Sequence, residues 1–250
     1  MVLIVGVRTG TLLQLLFVWR IDSFSLELIP EISSQHRDAT QACLAEIFGK
    51  GPERKLDAIQ ATDGFLLPSH MKVYGELGLD PLIKIMDAVG VKQEGESFLD
   101  VGSGDGVLVL AAAMLYPQLK TSRGIEIIPS LHDRSVEFNE RMEVLEEQGI
   151  ANASQRELVL GDVLHPSPRV LQVLEDTSLA VCFATTWSRN SPRRQLPELS
   201  RALRSMPLGS RIVVIDGFLL PEHGWDYGGE FQLYCQDTAP FSMARLYTRC

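Results

Sequence analysis

The sequence predicts an α/β fold: a doubly wound, mostly parallel sheet that ends in an antiparallel hairpin. Three observations carry this expectation. Apolar strand-like runs at 97–101, 122–127, 157–160, 178–184 and 211–216 alternate with helical patterns, which implies strand–helix units and a parallel sheet. The run VLVLAAAMLY at 107–116 is apolar on nearly every side, so its helix must be buried against that sheet. Finally, FQLYCQ at 231–236 and ARLYTR at 244–249 are separated by a short loop containing Pro240. No crossover helix fits between them, so they must pair antiparallel.

The remaining elements follow in chain order. Residues 31–48 read as an amphipathic helix, with Ala39, Cys43 and Ile47 on one stripe and Thr40, Leu44 and Phe48 beside it. GKGP at 49–52 stops it, a short helix covers 53–61, and TDG at 62–64 turns the chain. In the next helix Asp80 suits the cap, Pro81 the first helical position and Gly90 the C-terminal left-handed residue. Ser130 suits the cap of a long charged helix ending near Gly149. Weaker helical patterns lie near 168–175 and 194–205. The expected organisation is an apolar N-terminal segment at 1–30, a helical cap at 31–90 and a core at 91–250. The first segment is broken by Arg8, Thr9 and Gly10, which argues against a spanning helix. It is read as an added strand or helix in preference to a secretory signal or a mitochondrial presequence.

Bulk composition narrows the function classes. The 250 residues are 45% hydrophobic and 22% charged, ordinary for a globular protein with a substantial core. A net charge of −9 excludes a generic polyanion binder, so any nucleic-acid contact must use a local basic patch. The four cysteines form no C-x-x-C pair and the five histidines show no metal-ligand spacing, so no metal site is expected.

The chemistry concentrates in FLDVGSGDGVLVL, residues 98–110, where a strand runs through an acid into Gly102, Gly104 and Gly106. Ligands of such sheets bind beyond the carboxyl ends of the strands. The spacing G-x-G-x-G departs from the dinucleotide fingerprint, and Asp100 before the turn would repel a pyrophosphate but welcome a cation. Glu126 closes the second strand and can take both hydroxyls of a ribose. Asp162 closes the third and can accept from an adenine amino group, with Val163 against the ring. A cationic amino-acid moiety, a ribose and an adenine together describe S-adenosylmethionine. Taken singly, each acid could be only a helix cap.

On VYGE at 73–76, FLDVGSGDGV at 98–107, GIE at 124–126, GDVL at 161–164 and GSRIV at 209–213, the chain resembles the Dot1 family of histone lysine methyltransferases. Those are class I S-adenosylmethionine-dependent enzymes, and the resemblance spans roughly residues 65–220. It implies a Rossmann-like, seven-stranded methyltransferase sheet, a nuclear location and histone H3 as substrate. It also implies a cofactor site made of Tyr74, Gly75, Glu76 and Leu77 together with Phe98, Leu99, Asp100, Val101, Gly102, Ser103, Gly104, Asp105, Gly106, Val107, Glu126, Asp162 and Val163.

The acceptor should lie at the end of the fourth strand, in CFATTWS at 182–188. The family carries an asparagine pair and an aromatic there. This chain offers Thr185 and Thr186 as the catalytic candidates and Trp187 as a wall of the substrate channel. Each of these could equally be a strand end and a core anchor. Arg189, Arg193, Arg194, Arg201 and Arg204 form the one concentrated basic patch, able to meet phosphates or an acidic protein surface, or simply to be a solvated helix face. The HGWDYGG segment at 223–229 reads as a loop, either at the substrate rim or linking the fifth strand to the hairpin. The alternatives kept open are a lysine of a non-histone, organellar protein, a small-molecule acceptor, and a cofactor-binding module without catalysis, with cytoplasmic or mitochondrial locations to match.

Overall fold

A computed structural model describes residues 32–49, 57–60, 62, 77–91, 95–185, 187, 194–234 and 241–250. Seven strands form one sheet: β1 (Ser97–Val101), β2 (Thr121–Glu126), β3 (Gln155–Leu160), β4 (Leu179–Phe183), β5 (Arg211–Ile215), β6 (Trp225–Leu233) and β7 (Ser242–Arg249). Their spatial order is β3-β2-β1-β4-β5-β7-β6. The first five pair in parallel, and β7 is antiparallel to both β5 and β6. This is the Rossmann-like methyltransferase sheet with its closing antiparallel hairpin, as expected. The order reverses between β1 and β4, which places the ligand crevice beyond their carboxyl ends.

The strands divide their side chains by the two-residue period of the pleat. Phe98, Val181, Val213 and Ile215 enter a core formed with α1 (Ser34–Phe48), α2 (Leu79–Val89), α3 (Val107–Leu115) and α4 (Pro129–Glu147). Leu99, Ala180, Cys182, Ile212 and Val214 enter the opposite core, under α5 (Pro168–Glu175) and α6 (Pro197–Ala202). Apolar α3 is buried at every position but Val107, because it lies between the sheet and α1. Leu196, Leu199 and Leu203 face inward, while Arg194, Arg201 and Arg204 are exposed. No helix among the described residues is long and apolar enough to cross a membrane.

Two caps differ from expectation. Pro129, with its fixed φ, takes the first position of α4, so Ile128 is the cap residue and Ser130 lies inside the helix. Helix α2 starts at Leu79 behind Gly78, so Asp80 sits within its first turn, where it ion-pairs with Arg37. Gly90 does close α2 in the left-handed conformation.

The 223–229 segment is also corrected. From Trp225 onward it is strand β6, with a bulge between Tyr227 and Gly229 that accommodates the glycine pair. Trp225 is fully buried and its Nε1 donates to the Ser200 carbonyl at 3.0 Å. Trp225→Phe should therefore cost about 1–2 kcal/mol in urea denaturation, from a lost hydrogen bond and a buried carbonyl left unpaired. A change below a few tenths would show that this bond does not hold the hairpin.

Candidate functional site

The glycine turn is tied together from within. The N–H groups of Gly102 and Ser103 both donate to the Ile125 carbonyl, at 2.9 and 3.1 Å, and that of Gly106 to Ser103 at 2.8 Å. The Gly104 N–H donates to Glu126 Oε2 at 2.7 Å. These amides are thus spent on the fold and form no phosphate cradle. All three glycines have positive φ, 80°, 53° and 82°, which this closed turn requires. Neighbouring Gly124 leaves the space that Ser103 occupies: a Cβ there would lie 2.5 Å from the Ser103 hydroxyl.

Acids converge on the turn. Asp100, at the end of β1, is buried, and among the described residues no cation pairs with it. Burial first, and then the nearby Glu126 charge, push its pKa up to about 7. Burial, and then the Asp100 charge, push the Cys182 thiol well up. Glu126 is buried at the end of β2. Burial raises its pKa, opposed by backbone N–H groups of Ile128, Gly104 and Ile127. Its Oε1 accepts from Ile128 at 2.8 Å. Three backbone N–H groups take three of its roughly four acceptor sites, so capacity for a hydroxyl donor remains. Asp105 is fully buried and forms a bidentate pair with Arg134 of α4, at 3.0 Å on each oxygen. Its carboxylate anchors the turn to the helix rather than reaching outward.

Asp162 lies in the loop after β3, where Leu164 N and His165 Nδ1 donate to its two oxygens, both at 2.8 Å. That bond raises the pKa of the exposed His165. Val163 is buried in the core beneath. Phe98, Leu99, Val101 and Leu77 are buried within the two cores, supporting the turn from below. Val107 opens α3. Trp187 stands against the turn: its ring would lie 3.7 Å from a Cβ placed on Gly102. Thr185 donates its hydroxyl to Asp216 Oδ2 at 2.7 Å. Tyr74, Gly75, Glu76, Thr186, Arg189 and Arg193 lie outside the described residues.

The sequence reading passed over Asp216. It lies immediately beyond β5, buried, beside the Thr185 that was singled out. An acid closing the strand RIVVI was the available signal, of the same kind that marked Asp100 and Glu126.

The residues present fit S-adenosylmethionine. Buried Asp100, with no cation paired to it among the described residues, suits the charged methionine end, and Glu126 has spare acceptor capacity for a ribose.

Comparison with known proteins agrees with the fold. The family model described as "Histone methylation protein DOT1" matches residues 68–179. No curated protein matches the chain. Among solved structures, an S-adenosylmethionine-dependent methyltransferase from Clostridium acetobutylicum aligns with a TM-score of 0.51 at 9% identity, covering 80% of this chain and 99% of its own. Magnesium protoporphyrin IX methyltransferase from Synechocystis aligns with a TM-score of 0.47 at 13% identity, covering 87% of this chain and 95% of its own. A putative RNA methyltransferase from Pyrococcus horikoshii gives 0.47 at 16%, covering 80% and 98%.

Proposed function

We infer that this chain, a class I S-adenosylmethionine-dependent methyltransferase with a Dot1-family region at residues 68–179, methylates a protein lysine, with histone H3 as the acceptor its family suggests. The carrying observation is the overlap of that region with the site. The matched residues contain the glycine turn, Asp100, Glu126 and Asp162.

S-adenosylmethionine would supply an electrophilic methyl group on a sulfonium. Asp100 would hold the cationic methionine end, Glu126 the ribose hydroxyls and Asp162 the adenine amino group. Tyr74, Gly75, Glu76 and Leu77 would complete the cofactor site from upstream. Trp187 would exclude water above the turn and wall the channel of the acceptor nitrogen. Positioning supplies most of the acceleration in such a displacement. A dry channel favours the neutral, nucleophilic amine. A histone acceptor would place the protein in the nucleus, with Arg194, Arg201 and Arg204 as surface contacts to nucleosomal phosphate.

A second reading rests on Thr185. The family's asparagine pair is replaced by threonines, and the Thr185 hydroxyl is engaged by Asp216. This favours an acceptor other than the histone tail or core, such as a non-histone lysine. Incubation with tritiated S-adenosylmethionine and nucleosomes, free histones or organelle extract separates the readings. Label on nucleosomes supports the first, and label confined to another protein supports the second. Cofactor binding with no transfer to any acceptor would overturn both.

A further inference from the structure

We propose that His165 is the positioning residue of the adenine subsite, where its imidazole fixes the Asp162 carboxylate that reads the adenine amino group; this deepens the methyl-transfer reading and rests on its placing of Asp162 against the base. The segment GDVLH at 161–165 leaves β3 at its carboxyl end. Its main chain is anchored on both sides of Asp162. Gly161 N donates to the Glu126 carbonyl at 2.8 Å, which ties the end of β3 to the end of β2, where the ribose acid stands. A Cβ on Gly161 would lie 2.5 Å from Val170 Cγ2 of α5, so the chain leaves the strand pressed against that helix. On the other side, Val163 is buried.

The Asp162 side chain itself is 30% exposed. A carboxylate so placed turns about its side-chain bonds unless both oxygens are held. Leu164 N holds Oδ1 at 2.8 Å, and His165 Nδ1 holds Oδ2 at 2.8 Å. The first bond fixes one oxygen only, and the second sets the plane of the group. A carboxylate has about four acceptor sites, so room stays for the amino group of a base. The order that a ligand would otherwise have to impose is already present, and that lowers the cost of binding.

Packing does not explain the imidazole. It is 85% exposed, and its hydrogen bond goes to Asp162. An ionised carboxylate only accepts, so Nδ1 carries the proton. The bond to Asp162, and then the Asp162 charge, raise the pKa of His165, and Glu198 of α6 adds to the pull. A carboxylate fixed in this way selects by chemistry. It accepts from the amino group of adenine and repels the carbonyl oxygen that hypoxanthine carries at the same place.

Calorimetric titration with methylthioadenosine tests this. That nucleoside has the adenine and the ribose but no ammonium, so Asp100 does not enter. Methylthioinosine is the carbonyl control. The wild type should prefer the adenine nucleoside roughly 10- to 100-fold, the worth of a hydrogen bond to a charged group. His165→Ala should lose roughly 3- to 10-fold in affinity for the adenine nucleoside, the worth of holding one side chain still, and nothing for the inosine one. His165→Asn should restore the preference, because its amide nitrogen can stand where Nδ1 does. An exposed position spares the fold in both variants. The imidazole titration, followed by NMR, should lie above that of a free histidine and fall in Asp162→Asn. An undiminished preference in His165→Ala, an equal loss for both nucleosides, no rescue by His165→Asn, or an imidazole titration unmoved by Asp162→Asn overturns the role of His165 and leaves the methyltransferase reading standing. No wild-type preference, or no binding of either nucleoside, overturns that role together with the place of Asp162. Failure of S-adenosylmethionine itself to bind overturns the methyl-transfer reading as well.

Discussion

Asp100→Asn is expected to abolish useful affinity for S-adenosylmethionine while making the protein more stable above neutral pH. The two effects share one cause. Asp100 is buried, and burial with the Glu126 charge raises its pKa from 3.8 to about 7. Between those values the folded chain holds a proton that the unfolded chain has released. Stability therefore falls as pH rises through that window, by at most about 4 kcal/mol. Asparagine keeps the shape and removes the charge, so the variant should melt at a higher temperature than the wild type at pH 8. The gap should close towards pH 4. A bound cation rewards the ionised carboxylate, and losing that contact should weaken the cofactor roughly 100-fold or more. Calorimetric titration and thermal melts at pH 5 and pH 8 check both halves. A variant that binds like the wild type would show that Asp100 does not face the cation.

Asp105→Ala is expected to have the second large effect, on stability. Asp105 is fully buried, and its bidentate pair with Arg134 clamps the glycine turn to α4. The guanidinium also lies 5.5 Å from the Phe138 ring centre, within cation–π range. Removing the carboxylate takes a bidentate, partly buried ion pair from Arg134 and unclamps the turn, at a cost of about 3 kcal/mol. This is the lower end of the usual range, because Arg134 keeps contact with water at 23% exposure. Urea denaturation measures it. Combining Asp105→Ala with Arg134→Met should cost less than the sum of the single changes, because the pair they share is then lost only once. Additive losses would show that the two side chains do not act together.

The framework was legible because strand periodicity and turn chemistry are local. Phe98 and Leu99 announce a strand buried on both faces, and the glycines after Asp100 announce the site. Asp100 and Glu126 were readable as strand-end acids, and the structure brings them close enough for one to raise the pKa of the other. The misread features depend on partners distant in sequence. Trp225 looked like part of a glycine-rich loop. What makes it a strand residue is pairing with Arg249, together with the Ser200 carbonyl that receives its N–H. Asp216 looked like an ordinary strand end, and only the fold brings Thr185, Ser242 and Met243 together on it. Asp105 read as another cofactor acid. Its partner Arg134 lies a helix away, so the sequence could not reveal that the carboxylate was already engaged. Ser130 lost the cap because Pro129 claims the first helical position, a local competition decided by the fixed φ of proline.

The central claim is that an acidic site at the ends of β1 and β2 binds a cationic nucleoside cofactor. Calorimetric titration of the wild-type chain with S-adenosylmethionine tests it most directly, run near pH 7 in two buffers of different ionisation enthalpy. The account predicts one saturable site and net proton release as Asp100 ionises around the bound cation, with affinity rising from pH 6 to pH 8. No saturable binding, or binding without proton release and indifferent to pH across that range, would contradict it.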